Sequence, residues 1–390
     1  MPENKFPLIQ NWGEKLMFID RKIILGVLAA CAIAAPVSAK ELIFGTGSGA
    51  KSKINIDAIV PFLKITEKQS NGSLTWKYLP GNQIVTVRSA LKGLRDGLID
   101  AGMVIPVFAR KDMINNNILY DTIHLGHDDP VAAGGAAHET IMLNCPNCVA
   151  EYKKFNAFLL SSFAGGSNIM VCRKPVKTVA DIKGLKVRGG GASNRLVKAL
   201  GGVPVGLPPQ ELALALERGG LDCSVQALNW MLSFGIHDIA KHVIDYPMGS
   251  SRGLGLIAMN RKTWKSLTKQ QRKILWDNAP LASARAVVDS YVNFDNVYRK
   301  NIGPKKGVKF YQAGADIKGA IAKMMAKEEA AIVAVIKKQG AKNPAKVLAA
   351  FKANLAKWRK FSRSEIKGNA DAFGRVLKRE IYDKLDPEKM

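Results

Sequence analysis

One arginine is set apart by its neighbours. Arg188 ends a short β-type run carrying Leu185 and Val187, and three glycines, Gly189 to Gly191, come next. Glycine lets a backbone turn sharply and come close to a bound group. A guanidinium can clamp a carboxylate with two parallel hydrogen bonds. The chemistry on offer is capture of an anion; a surface ion pair is the plainer use of the same side chain. Other groups invite a reaction without completing one. Cys145-Pro-Asn-Cys148 is a CxxC, but a redox motif wants a thioredoxin-like strand before it, and a zinc site wants a second ligand pair. A short structural disulfide between Cys145 and Cys148 is the expected reading. His124, His127, Asp128, Asp129 and His138 suggest a metal, yet their spacing matches no standard site and polar loop residues belong there anyway. No GxSxG elbow, HExxH, phosphate loop or carboxylate pair at glycosidase-like spacing occurs. Binding without turnover, with neither metal nor cofactor, is the simplest account.

The elements that must position Arg188 are legible around it. After Arg188 and its glycines comes a helix with Leu196, Val197 and Leu200 on one face, stopped by Gly201-Gly202. Val203 to Leu207 is a strand, and Pro208-Pro209 opens a helix striped by Leu212 and Leu216. A third strand begins at Leu221. This is a βαβαβ unit, whose parallel strands present ligands at their C-terminal ends. An echo lies upstream. LRDGLIDAG (94–102) and LERGGLDCS (216–224) share one design: helix end, glycine, apolar residue, aspartate, strand. The upstream unit runs from the strand Glu41 to Thr46, through helices over 52–69 and 86–96, to a strand at 98–104. Two such units predict two similar α/β lobes with a ligand cleft between them. Between the units the pattern predicts helices through 131–143 and near 150–157. After them it predicts a helix over 230–241, a returning strand at 253–261 and a long helix over 268–300. A chain that crosses twice between lobes makes a hinge.

The chain has 390 residues and a net charge of +26. Residues 301–390 alone hold 21 Lys and Arg against 9 Asp and Glu. No zinc-finger, helix-turn-helix or RNA-binding signature accompanies that charge, so solvated helix faces are expected rather than a nucleic-acid partner. The basic amphipathic helices of 315–390 are expected to pack across the back of the lobes, with membrane-surface binding the alternative. At the other end, Arg21-Lys22, the apolar run 23–39 and the pattern Val37-x-Ala39 read as an export signal, with Met17 the expected start. Leu28-Ala-Ala-Cys31 is a competing lipobox that would put a lipid on Cys31; soluble export is favoured. In an exported chain four further cysteines suggest disulfides. Cys172 and Cys223 lie in separate predicted strands and are open to pairing or to a place as two buried thiols.

The stretch DIKGLKVRGGGASNRLVKALGGVPVGLPPQELALALERGGLD (181–222) resembles the signature region of TRAP-transporter solute-binding proteins, the dicarboxylate-binding periplasmic family. The first strand, 71–84, 91–102 and 235–243 fit the same family in order; helices beyond about 350 exceed it. The resemblance implies a two-lobed periplasmic-binding-protein fold of the α/β class with a hinge and an interlobe cleft. Residues 40–165 with about 254–293 would form lobe I, 166–253 with about 294–350 lobe II, and 351–390 a helical extension. It implies a monomer in the periplasm, not an enzyme, that captures a small organic acid anion and delivers it to TRAP membrane permease subunits. An accessory or sensor protein for a periplasmic enzyme or receptor is the alternative, and an exported enzyme on the same fold a further one. The family arginine that binds the ligand carboxylate falls on Arg188. Polar or aromatic contacts after the lobe-closing aspartate fall on Gln226, Asn229 and Trp230. Sialic-acid-type members carry an acidic residue where this chain has Ile84 to Arg88, and an arginine where it has Ser167-Asn168. A smaller organic acid is therefore expected, with Arg88 as a second positive contact and Ser167 in the arginine's place.

Overall fold

A computed structural model describes residues 39–390; apart from Ala39, the export signal, Met17 and Cys31 lie outside them. The chain starts with β1 (Lys40–Gly45), α1 (Val60–Gln69), β2 (Leu74–Leu79), α2 (Ala90–Arg95) and β3 (Ala101–Val104). Then α3 (Asn116–Asp121), α4 (Pro130–Glu139) and α5 (Pro146–Lys154) lead to β4 (Ala157–Phe163), and β5 (Asn168–Cys172) opens a second sheet. There β6 (Lys186–Gly189), α6 (Ser193–Ala199), β7 (Val203–Gly206), α7 (Leu212–Glu217) and β8 (Cys223–Ala227) repeat the opening pattern. After α8 (Trp230–Ser233) and β9 (His242–Ile244), β10 (Leu254–Asn260) and α9 (Lys269–Val287) return to the first sheet. β11 (Lys309–Tyr311) closes the second.

The two sheets are ordered β2-β1-β3-β10-β4 and β11-β9-β5-β8-β6-β7. β1 pairs in parallel with β2 and β3, as β6 does with β7 and β8. The fold is thus two-lobed and α/β, and the sequence echo marks the corresponding third strands. Each lobe also accepts an antiparallel strand beside its parallel trio: β10 next to β3, and β5 next to β8. These strands stand at the crossings, so the lobes are joined by sheet-forming chain rather than by loose linkers.

Burial follows strand periodicity. In β5, Met170 and Cys172 join the core that holds Leu196, Val197 and Ile317, while Ile169 and Val171 join the opposite one, with Leu212, Leu216 and Tyr298. Successive side chains point to opposite faces, so both faces of this sheet are covered. Cys172 and Cys223 face each other across β5 and β8 and form a disulfide. A second joins Cys145 and Cys148 at the start of α5, as expected.

Several helix bounds move. The helix expected over 230–241 is only α8 plus one tight turn at Ile236–Asp238, because Gly235 takes φ 66° between them. The long helix is regular to Val287 and continues with wide turns at Val288–Asn293 and Tyr298–Ile302, separated by one α-helical turn at Phe294–Val297. Its start is well specified: Thr268 and Gln271 form a reciprocal capping box.

Helices α10 (Ala315–Met325), α11 (Glu328–Lys338), α12 (Pro344–Phe361) and α13 (Ala370–Glu380) finish the chain. Ile317 and Ile321 of α10 pack in the second lobe's core, whereas Ile332 and Ile336 of α11 pack in the first's. α12 lies on α4, whose Ala/Gly-rich sequence allows close approach: a Cβ on Gly135 would stand 2.2 Å from the Trp358 ring. Trp358 Nε1 donates to Glu139, and Lys357 pairs with the same carboxylate. Phe351, Phe373 and Tyr382 are buried with them. From α11 onward the basic tail therefore directs its apolar faces onto the first lobe. Among the described residues no helix is long and apolar enough to cross a membrane.

Candidate functional site

Between the lobes lies a cavity with an empty volume of about 780 Å³, mouth included. Its first wall comes from the ends of β3 and β4: Met103, Ile105, Val107, Phe108 and Phe163. Its second comes from the matching ends of β6 and β8: Arg188, Ala227, then Asn229 and Trp230 at the start of α8. Tyr120 and Tyr291 add aromatic rings, and Ser52, Asn168, Gln210 and Ser233 add polar groups. No Asp, Glu, His, Lys or Cys lines it, so Arg188 is its one charged side chain among the described residues.

Arg188 is 6% exposed. Strand β6 fixes its backbone, and two carbonyls hold its head: Nε donates to Leu207 at 3.1 Å and Nη1 to Val225 at 3.3 Å. The guanidinium also sits 5.1 Å from the centre of the Trp230 ring, within cation–π range. No carboxylate pairs with it among the described residues. Burial pulls its pKa below the usual arginine value and the Tyr120 hydroxyl opposes that pull; an arginine stays charged regardless. A buried cation without a counter-charge is expensive in isolation and favours any anion that can reach it. The glycine turn supplies the room. Gly191 has φ 54°, and a Cβ there would meet the Tyr120 ring at 2.8 Å. Only glycine fits both constraints.

Asn229 is buried, its amide anchored on the carbonyl of Ser290 at 2.8 Å. Burial pushes the Tyr291 hydroxyl up to about 12, against the lowering influence of the nearby Trp230 and Asn229 side chains. Trp230 is further braced edge-on by Phe234. Arg188, Asn229 and Trp230 are thus brought together at one cavity.

Three expected site residues stand elsewhere. Arg88 is largely exposed and lies 3.8 Å from Glu211; its neighbour Val87 takes the lining position. Gln226 is fully buried and turned toward Met231, because alternation along β8 gives the cavity to Ala227 instead. Ser167 donates to the carbonyl of His127, and Asn168 lines the cavity in its place. The suspected metal cluster is dispersed. His124 bonds Glu328, His127 the His124 carbonyl and His138 Tyr382; Asp128 meets Arg359 and Asp129 caps α4. Among the described residues no three His, Cys, Asp or Glu gather around a point that could hold an ion. Sequence reasoning missed Phe108, Tyr120, Phe163, Gln210 and Tyr291. Only Gln210 carried a local signal, through its place after Pro208-Pro209.

The family profile described as DctP, bacterial extracellular solute-binding protein, family 7, matches residues 44–336. A solute-binding protein of Albidiferax ferrireducens is 22% identical over 55% of the chain, a match spanning 62% of that protein's length. The 2,3-diketo-L-gulonate-binding periplasmic protein of Escherichia coli is 24% identical over 58% of the chain and 68% of its own length. In structure the chain resembles a TRAP solute-binding protein of Rhodoferax ferrireducens in complex with copurified benzoate: TM-score 0.72, 20% identity, 83% of this chain and 100% of that one. It also resembles a TRAP periplasmic solute-binding protein of Bordetella bronchiseptica with bound (R)- and (S)-mandelate: TM-score 0.68, 23% identity, 82% and 99%.

Proposed function

Because this chain belongs to the bacterial extracellular solute-binding proteins of family 7, we propose that it is a periplasmic receptor for a small monocarboxylate and hands it to a TRAP-type permease. The observation that carries this reading is Arg188: among the described residues, a buried guanidinium with no carboxylate partner, alone in charge on an otherwise neutral, largely apolar lining. One fixed positive charge matches one carboxylate. The aromatic and aliphatic walls match an apolar body, a reading supported by the benzoate and mandelate held by the structural relatives. Asn229 and Trp230 position the clamp. Arg88, Gln226 and Ser167 have no part in this version of the site.

We place the lobes at 40–165 with about 254–293, and at 166–253 with a return segment from about 294. That segment ends near 326 rather than 350, since α11 packs with the first lobe. The protein acts as a monomer, opening and closing about the crossings near 165, 250, 290 and 326. We expect no reaction, in keeping with a family of solute-binding proteins.

The test is a thermal-shift and calorimetry screen of ligand-stripped protein against mono- and dicarboxylates, with Arg188→Ala alongside. A ligand at 100 times its dissociation constant stabilises by about 2.7 kcal/mol. A shift with monocarboxylates that vanishes in the variant is the expected result. No shift with any acid would overturn the reading.

A further inference from the structure

The cavity's unpaired polar atoms say something about the ligand beyond its carboxylate. Gln210 lies on the turn between β7 and α7 and reaches across to the other lobe, where Nε2 donates to the carbonyl of Gly47 at 3.1 Å. That bond settles which end of the amide is nitrogen, so Oε1 is an acceptor and nothing else. Oε1 is buried and has no partner among the described residues. Ser233, the last residue of α8, also lines the cavity, and its Oγ is likewise buried and unpartnered. Buried acceptors left unmade are costly; the lining around them combines hydrocarbon and aromatic ring with a few polar residues, among them Asn229, whose Oδ1 is also buried and unpartnered among the described residues. Each can receive a hydrogen bond, and no described residue supplies one.

We propose that the ligand's apolar body carries a hydrogen-bond donor, a hydroxyl in the simplest case, received by Gln210 Oε1 with Ser233 Oγ, and that Gln210 is the residue selecting for it. The inference rests on the Arg188 reading for the other end of the molecule. It makes the substrate a hydroxylated monocarboxylate rather than a bare hydrophobic acid. It also gives the Gln210 amide a double use. One end ties the lobes at Gly47 and the other contacts the ligand, so ligand identity is read at the same side chain that closes the cleft.

A site built to accept a bond from a substrate hydroxyl discriminates against the analogue lacking it. The test is titration calorimetry on ligand-stripped protein with matched pairs: benzoate against 3-hydroxybenzoate, and phenylacetate against mandelate. In the wild type at least one hydroxylated partner is expected to bind about 10-fold tighter or more. In Gln210→Met the preference collapses; because the variant also loses the tie to Gly47, both members of a pair weaken and the readout is the ratio of their affinities. Ser233→Ala, which leaves the tie to Gly47 intact, narrows the preference as well. Equal affinity within every pair in the wild type overturns the inference and leaves the Arg188 reading standing. A preference untouched in both variants overturns the assignment to these residues. Binding of no acid at all overturns the parent reading, and this one with it.

Discussion

The two parallel trios are built to one plan and end differently. β2-β1-β3 and β7-β6-β8 have the same order and the same strand directions, and each is flanked by an antiparallel strand at a crossing. Where β6 ends in Arg188 and Gly189, the corresponding β1 ends in Phe44 and Gly45, with Phe44 fully buried in the core. Where β8 leads into Asn229 and Trp230, β3 leads into Ile105, Val107 and Phe108. One lobe therefore brings the charge and the polar anchors, and the other brings an apolar wall. The scaffold is symmetrical because strand pairing and helix packing demand it. The site is not, and on the proposed reading a ligand with one charged end needs only one charged wall.

The largest break in this asymmetry is Arg188→Ala. Acid binding is expected to fall by about 1000-fold or more, since the variant keeps the buried site and loses the one charged side chain that lines it among the described residues. Calorimetry with the best acid from the screen measures it. Arg188→Lys is expected to recover only part, because an ammonium cannot reproduce the fork that reaches Leu207, Val225 and a carboxylate together. Full recovery by lysine would show that charge alone, without geometry, is what the second lobe contributes.

The lobes also differ in how they are stitched. Cys172–Cys223 closes a separation of 51 residues through the middle of the second sheet, whereas Cys145–Cys148 closes a separation of 3 at the start of a helix in the first. Loop-closure entropy in the unfolded chain grows with the logarithm of loop length. Replacing both members of the long pair with alanine is expected to cost about 4 kcal/mol, and of the short pair about 1.5 kcal/mol. Urea unfolding compares them. Equal losses would mean that local packing, not loop length, decides what each bond is worth.

Much of this was legible in the chain. The trio around 185–227 was readable because glycines and prolines punctuate it and its leucines keep helical spacing. Leu196, Val197, Leu212 and Leu216 are all buried where that spacing put them. Arg188 was readable because it stood at a strand end before three glycines. The errors have a physical pattern. Arg88 looks as cationic as Arg188 in a string of letters, and only the fold shows one exposed and the other enclosed. Gln226 failed by one step of strand alternation, a difference no propensity resolves at a strand end. Phe108, Phe163 and Tyr291 belong to three distant segments that meet only when both sheets form, so nothing local announced them. The pairing of Cys172 with Cys223 was open until β5 and β8 were known to be neighbours.

A smaller effect sharpens the comparison at the crossing itself. Asp295 is buried beside the segment that leaves the first sheet: a Cβ on Gly166 would stand 2.8 Å from its carboxylate. Burial raises its pKa to about 7, against the opposing pull of Arg299. The folded protein thus holds a proton that the unfolded chain releases near the ordinary carboxyl range. Its stabilising contribution is complete below about pH 4, declines as pH rises, and is lost above about pH 7. Asp295→Asn removes that slope. Between pH 5 and 8 the wild type is expected to lose about 2 kcal/mol more than the variant in urea unfolding. Parallel pH profiles would mean that the carboxyl is ionised in the fold and that Arg299 has won over burial.

The smallest effect belongs to the other arginine. Arg88 and Glu211 face each other from opposite lobes at 3.8 Å, each with about 60% of its side chain exposed. Such a pair is screened by water and salt, so its contribution is expected to be below about 1 kcal/mol. Arg88→Ala should leave affinity for the best acid within about threefold of wild type and leave the melting temperature nearly unchanged. The two arginines then span the range of what one guanidinium can do in this protein. Both carry the same charge; burial, with no carboxylate partner among the described residues, sets one apart as the proposed anchor. If Arg88→Ala weakened binding as much as Arg188→Ala, the cleft would have to close further than it does here, carrying Arg88 from Glu211 onto the ligand. The second lobe would then no longer be the only source of charge.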